Sequence, residues 1–203
     1  MTSINIEQNK PEHLSWLRAQ RLYYRQAKWV MTAFVFIAIA LPILGLVVSA
    51  SGLPEAELDR WKAKLTFMSI TVLLAEIGIF SRLQRELVKK AAKIQELFDT
   101  TVLGLPWSKF VVGAKVDAED IKTISMSELT PTDKKAFLNW YEPSVGTLPI
   151  ELGRLICQRT NITYDMQVRR LYAKSLLGLV IVMVVVLSVI GLYKGSSFSD
   201  LLQ

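Results

Sequence analysis

Hydrophobic and polar positions are distributed unevenly along the chain, which contains three long apolar segments. The segment 29–50 has 22 residues and the segment 176–193 has 18, and neither includes a charge. Because a helix rises about 1.5 Å per residue, each is long enough to cross roughly 30 Å of hydrocarbon. The segment 65–80 has 16 residues and contains one charged residue, Glu76. The pattern predicts an all-α integral membrane protein with three transmembrane helices, at 29–50, 65–81 and 175–193.

Glu76 is the one charged residue inside the predicted spans. A carboxylate at the bilayer centre costs roughly 2.5–3.5 kcal/mol on insertion scales. Glu76 lies six residues before Arg82, or about 9 Å along a helix, so its carboxylate can reach toward the interface. Two interpretations stay open: an acid tolerated near the interface, and an intramembrane gating group.

The helical pattern continues beyond the bilayer into the polar segment 82–174. Apolar residues recur at three- and four-residue spacing from Leu83 to Phe98, which predicts one helix from the membrane to about Val102. The segment 151–174 contains no proline and predicts a second helix that continues into the third span. Residues 82–174 are therefore predicted to form a helical cytoplasmic lobe carried on two membrane-continuous stalk helices.

The remaining segments outside the membrane are predicted to be short or amphipathic. Glycine and proline concentrate between 104 and 148, where short helices are expected at 118–124 and 132–141. Residues 1–28 are predicted to contain an amphipathic helix that leads into the bilayer or lies at its surface.

The distribution of charge predicts the topology. Lysine and arginine outnumber acids five to two in residues 1–28 and fifteen to eleven in 82–174, whereas the link 51–64 carries three of each. Basic segments stay on the cytoplasmic side. The N-terminus and the lobe are therefore predicted to be cytoplasmic, and the link 51–64 and the tail 194–203 are predicted to lie outside.

Composition argues against enzymatic and metal chemistry. The chain carries a net charge of +6, and its basic groups lie mainly beside the spans, where anionic headgroups bind them; a nucleic acid polymer is not the expected partner. Cys157 and His13 are the single cysteine and the single histidine. With no cluster of metal-ligating residues, no glycine-rich phosphate loop and no nucleophile elbow, we expect no catalytic residue, no metal and no cofactor.

Three sequence runs flank the predicted spans. Residues 19–28 (AQRLYYRQAK) precede the first span, and residues 97–107 (LFDTTVLGLPW) follow the first stalk. Residues 157–165 (CQRTNITYD), followed by 169–173 (RRLYA), lead into the third span. Together they resemble the SMODS-associating four-transmembrane effector family of bacterial cyclic-oligonucleotide antiphage signalling systems, over most of the chain.

The resemblance implies an effector that damages or permeabilises the bacterial inner membrane when phage infection raises a cyclic nucleotide signal. As a hypothesis for the mechanism, a ligand such as a cyclic oligonucleotide, or a partner, binds the basic lobe, and the spans then associate into a homo-oligomer in the lipid bilayer. Phosphate-bearing ligands favour basic and aromatic side chains. The candidate ligand-binding residues are Arg159, Arg169, Arg170, Trp107, Trp140 and Tyr164. Alternatively, Arg169 and Arg170 complement acids on the other stalk or anchor the span at the headgroups, and Trp107 closes the end of a stalk by packing.

The number of spans differs from that of the family. Family members have four spans and three are predicted here, so we expect a truncated or diverged member that lacks the fourth.

Two other functions are alternatives to the effector. A membrane-anchored sensor or scaffold would use the lobe to recruit a soluble partner without forming a pore. A transporter or constitutive channel ranks below the effector and the scaffold, because polar residues within the spans are few and scattered.

Overall fold

The computed structural model describes residues 3–126 and 135–194. Regular structure in these two ranges is helical and includes no strand, so the predicted all-α class is confirmed. The chain divides into two compact units, Met1–Thr147 and Leu148–Gln203. The helices are α1 (Ser3–Glu7), α2 (Pro11–Ala50), α3 (Glu55–Ala75), α4 (Ser81–Val102), α5 (Lys109–Val112), α6 (Ala118–Ser125) and α7 (Ile150–Lys194), with a π-turn at Glu76–Phe80 and a 3₁₀ turn at Pro143–Thr147.

α2 unites the N-terminal arm and the first apolar segment in one helix of 40 residues, about 60 Å long. Pro11 occupies its first turn, where the missing N–H has no intrahelical partner to lose. At its end, the N–H and Oγ of Ser51 both donate to the carbonyl of Val48. Since the helix is about twice as long as the hydrocarbon layer is thick, it extends well beyond the apolar segment.

The second apolar segment belongs to a rod formed by α3, the π-turn and α4, which follow one another without a break. α4 ends at Val102, as predicted, and Gly104 with a φ of 61° turns the chain away. Within the described ranges, α2 and this rod are long and apolar enough to cross a membrane, and only 6% of the most apolar window of each is buried. Such exposed apolar surface fits contact with lipid.

α7, in the second unit, runs for 45 residues directly after Pro149. It contains both the predicted second stalk and the third apolar segment in one helix, as the absence of proline indicated. The third span at 175–193 stays a prediction. Of the short helices expected between the stalks, the one at 118–124 is confirmed as α6. The one at 132–141 begins outside the described residues.

α2 and α4 pack against each other to form the core of the first unit. Ala19 and Tyr23 of α2 meet Ala91 and Ile94 of α4, and α6 adds Ile121; all five are at least 92% buried. Small residues on both helices permit close approach, and the apolar spacing of α4 presents one face to α2. This packing fixes the position of α4, which lines the candidate site described below.

A cluster of side-chain amides attaches α1 to the segment 139–147. The buried side-chain amide of Gln8 donates to the carbonyl of Tyr141 (3.2 Å) and accepts from the N–H of Tyr141 (2.7 Å). It therefore satisfies both backbone polar groups of this residue. Asn5 donates to the carbonyl of Pro143 (2.9 Å), and Asn9 accepts from the N–H of Asn139 (2.9 Å). We call Asn5, Gln8 and Asn9 the amide cluster.

Replacing Gly146 by alanine is expected to loosen the amide cluster. A Cβ at Gly146 would overlap the side-chain amide of Asn5, which must then move and give up its bond to Pro143. We expect Gly146→Ala to lower the free energy of unfolding by about 1–2 kcal/mol. Thermal unfolding of the purified chain in detergent measures this. Gly52→Ala is not a suitable control because Gly52 has a positive φ, whereas Gly78→Ala meets open space and should change little. Equal effects of Gly146→Ala and Gly78→Ala would contradict the prediction.

Candidate functional site

A basic cleft lies on the first unit, on the α4 side of the packed helices. It is open to solvent and has a free volume of about 200 Å³ between α4, the link that follows α5, and the start of α6. Its lining consists of Glu86, Lys89, Lys90, Lys93, Lys115, Val116, Asp117 and Asp120. We call it the lysine cleft, because four of these eight side chains are lysines.

Local backbone geometry brings the link against α4. Gly113 has a φ of 81°, which L side chains rarely adopt, and this residue reverses the chain after α5. The indole Nε1–H of Trp107 donates to the carbonyl of Gly113 (2.9 Å) and closes the loop between them. The Lys93 ammonium then donates to the carbonyl of Ala114 (2.9 Å). Lys115 follows directly and therefore comes to lie beside α4.

Two of the charges in the lysine cleft cancel. Lys90 donates to the Oδ2 of Asp120 (2.7 Å), and this hydrogen bond raises the pKa of Lys90, against the opposing effect of partial burial. The Lys90 ammonium also lies 5.8 Å from the centre of the Tyr23 ring. Both partners of the ion pair are more than 40% exposed, so the pair adds little stability. The pair therefore marks where α6 meets α4, whereas the buried side chain of Ile121 holds the two helices together.

Among the residues that the structure describes, no carboxylate lies within ion-pair distance of the ammonium groups of Lys89, Lys93 and Lys115. The partner of Lys93 is a neutral carbonyl, and the Lys115 ammonium lies over the ring of Trp107, 5.6 Å from its centre. Neither a carbonyl dipole nor an aromatic face neutralises an ammonium group. Lys89 is exposed on the same side of α4. The lysine cleft is therefore able to bind an anion.

The residues singled out from the sequence are distributed over both units. Trp107 lies at the edge of the lysine cleft and packs against the α2–α4 core. Trp140 lies edge-to-face with Phe98, their ring centres 6.4 Å apart. The other four, Arg159, Tyr164, Arg169 and Arg170, are exposed along α7 in the second unit.

Arg169 is held within its own helix. Its Nε donates to the Oδ2 of Asp165 at 2.8 Å, one turn earlier on α7. Such exposed i,i+4 pairs contribute a few tenths of a kcal/mol. Asp165 belongs to the same helix and not to the other stalk, so this pair does not decide between the two interpretations of Arg169. The ligand-binding role of the six residues stays a prediction.

Sequence reasoning did not single out the lysines of the cleft. Lys89 and Lys93 are four residues apart and so share a face of α4, which was a usable signal. Their position after the second span indicates only attraction to anionic headgroups. Lys115 gave no signal at all, since its proximity to Lys93 depends on the reversal at Gly113.

Glu76 begins the π-turn within the second apolar segment. The N–H of Ser81 donates to the carbonyl of Glu76 five residues earlier, and the Oγ of Ser81 donates to its carboxylate (3.0 Å). The turn therefore contains one residue more than an α-helical turn, and this extra residue brings the side chain of Ser81 next to that of Glu76 along the helix axis. Phe80, at its end, contacts Phe34 of α2, with ring centres 6.2 Å apart. Whether Glu76 has a gating role stays a prediction.

Metal chemistry finds no support in the parts of the chain that the structure describes. Over 3–126 and 135–194, no three histidine, cysteine or acidic side chains come together in a way that could hold a metal ion. The chemistry that the described surface offers is anion binding at the lysine cleft and lipid contact along the apolar helices.

Comparison with known families identifies the chain. A family model described as the SMODS-associating 4TM effector domain matches residues 2–203. The chain belongs to this family. The resemblance that the three sequence runs indicated is therefore confirmed.

A curated relative of the SMODS-associating effector is described as a "Probable CBASS effector molecule" from Bacillus cereus (strain VD146). The two are 25% identical over 164 residues, which cover 81% of this chain and 54% of the relative. The chain thus spans about half the length of the curated relative that it matches. No solved structure matches the chain.

Proposed function

We propose that this SMODS-associating effector is the membrane component of a cyclic-nucleotide-triggered antiphage defence system. On activation it permeabilises or disrupts the bacterial inner membrane, in which it lies as a multi-pass protein with a cytoplasmic N-terminus. The observation that carries the proposal is the family match over residues 2–203, together with the relative described as a CBASS effector.

The exposed surfaces of the apolar helices support a mechanism by oligomerisation. Large apolar side chains such as Phe36 and Phe67 are each 73% exposed and would face lipid or another copy. A Cβ added at Gly78 would meet open space, so another helix can approach this backbone closely. Few polar groups lie along these helices, which argues for a leak that forms between copies of the chain.

The membrane potential of bacteria expressing the chain tests this proposal. We expect depolarisation and dye uptake when an active cyclic nucleotide synthase is co-expressed, and no change with a catalytically inactive synthase. Depolarisation with both synthases would indicate an unregulated pore. An unchanged potential with both would contradict the proposal.

A membrane-anchored scaffold is the second candidate function, and α5 is the observation that favours it. Phe110 is fully exposed and Val111 is 80% exposed, at a position outside the apolar spans. Exposed aromatic and aliphatic side chains on a polar lobe are typical of protein-binding surfaces. A scaffold would recruit a soluble protein without changing the membrane potential. Phe110→Ala would then abolish its activity, whereas the same change would leave a leak through the spans intact.

A further inference from the structure

We propose that the lysine cleft binds a phosphodiester group, with the ammonium groups of Lys89, Lys93 and Lys115 around the phosphate and the carboxylates of Glu86 and Asp117 beside it. This inference deepens the proposed function and rests on it only for the identity of a soluble ligand.

Unpaired positive charge makes the cleft selective for an anion. Lys90 and Asp120 neutralise each other, whereas Lys93 and Lys115 are held by a carbonyl and an aromatic face. Each of these two ammonium groups is positioned by its contact and still has donors to offer, because an ammonium group carries three. Hydrogen bonds from ammonium groups to a phosphate oxygen are charge-assisted and therefore strong.

The size of the cleft restricts what it can enclose. Its volume of about 200 Å³ is below the roughly 300–1,000 Å³ of sites that enclose a whole small molecule. It therefore suits one phosphate group and its ester linkages, while the remainder of the ligand extends along the surface.

The acids of the lining distinguish a phosphodiester from a free phosphate. Glu86 and Asp117 lie in the same lining, and their charges oppose a dianion more than a monoanion. A phosphodiester carries one negative charge, and the carboxylates can accept hydrogen bonds from hydroxyl or amino groups next to it. The chemistry thus favours a phosphodiester flanked by hydrogen-bond donors.

Two sources supply that chemistry: a cyclic oligonucleotide and the headgroup of phosphatidylglycerol. Lys89 lies eight residues beyond Ser81, or about 12 Å along α4. The headgroup layer is roughly 5–8 Å thick on each side. An upright α4 places the cleft beyond the headgroups, and a tilted α4 brings it among them.

Bound phosphodiester would link α4 to the segment between α5 and α6. Lys89 and Lys93 belong to the rod that continues into the second apolar segment, whereas Lys115 belongs to the link after Gly113. A phosphate that bridges them would restrain the link against the stalk. Ligand binding in the lobe would in this way reach a helix that continues into the membrane.

The test compares two double variants of the full chain with the same change of charge. Lys93→Gln with Lys115→Gln removes two ammonium groups from the cleft and leaves an uncharged N–H donor at each position. Lys109→Gln with Lys122→Gln removes two ammonium groups from exposed positions of the lobe outside the cleft. Thermal unfolding in detergent establishes that both variants fold. Binding is then measured with a panel of cyclic di- and trinucleotides of adenine and guanine, and with nanodiscs of phosphatidylcholine with or without phosphatidylglycerol.

We expect the cleft variant to bind a phosphodiester probe at least about tenfold more weakly than the wild type, while the control variant binds it as the wild type does. Loss confined to a cyclic oligonucleotide assigns the soluble source, and loss confined to phosphatidylglycerol nanodiscs assigns the lipid. Equal weakening in both variants, or no binding of either probe by the wild type, would overturn the inference.

Failure of the inference and failure of the proposed function can be told apart. If the wild type depolarises cells on signalling, and the cleft variant binds every phosphodiester probe as tightly as the wild type does, the inference fails and the proposed function stands. If the wild type never depolarises cells but binds a phosphodiester through the cleft, the inference stands and the proposed function fails.

Discussion

Deletion of Val88 is expected to unfold the cytoplasmic lobe, whereas deletion of Gly78 is expected to leave it folded. Both deletions shorten the same rod by one residue, at positions ten residues apart. Removing a residue from an α-helix rotates everything beyond it by about 100° and draws it back by about 1.5 Å. The difference lies in the local geometry at each position.

Val88 lies in regular α-helix between the membrane end of α4 and its buried face. Its deletion turns Ile94, Leu97 and Phe98 away from their partners, although each is at least 92% buried in the native chain. Burial of one such side chain contributes about 1.5–3 kcal/mol. The combined loss is comparable with the roughly 5–15 kcal/mol that stabilises a typical domain.

Gly78 lies within the π-turn, where the chain already contains one residue more than an α-helical turn. Its removal converts the turn from i→i+5 to i→i+4 hydrogen bonding and keeps the faces on both sides in register. No side chain is lost, and a Cβ there would contact nothing. We therefore expect only a small change in stability.

Limited proteolysis of the purified chains in detergent distinguishes the two deletions, because the lobe is rich in lysine and arginine. Rapid cleavage of the Val88-deleted chain and wild-type resistance of the Gly78-deleted chain are expected. Comparable resistance of both would show that α4 is not held in register by its buried face. Comparable sensitivity of both would show that the π-turn is not a removable insertion.

Replacing Gln8 by leucine is expected to lower the free energy of unfolding by about 2–6 kcal/mol. Leucine has a similar size but cannot pair with the backbone of Tyr141, whose N–H and carbonyl both bond to the buried Gln8 side chain. A buried polar group left without its partner costs about 1–3 kcal/mol, and here there are two.

Asn9→Ala is the matched control for this change. Asn9 belongs to the same amide cluster, and its bonds with Asn139 are exposed to water, which can replace them. We expect a loss below about 1 kcal/mol. Chemical denaturation followed by tryptophan fluorescence measures both variants, since Trp140 adjoins Tyr141. A smaller effect of Gln8→Leu than of Asn9→Ala would contradict the structural role of the buried amide.

Much of the helical architecture was predictable because it depends on local properties of the chain. The end of α4 at Val102 follows from Gly104 and Pro106, which cannot continue a helix. The continuity of α7 follows from the absence of proline over its length. The apolar surfaces of α2 and of the rod follow from the length of the apolar segments, which contain almost no charged residue.

The π-turn and the amide cluster were not predictable on these grounds. One extra residue in a helical turn changes neither composition nor hydropathy, so Glu76 and Ser81 carried no sign of their pairing. Gln8 is a polar residue near the N-terminus, and only its contact with a backbone 133 residues away makes it part of a buried cluster.

By itself, the sequence determined the helical class, the apolar segments and the family, since uncharged length, helical spacing and family motifs are all read along the chain. The tertiary structure decided which charges act together. Lys93 and Lys115 line the same cleft because Gly113 reverses the backbone and Trp107 closes the loop, and Lys90 is neutralised because α6 brings Asp120 to it. A binding site depends on distances in space, and those distances were set by packing between segments that are remote in sequence.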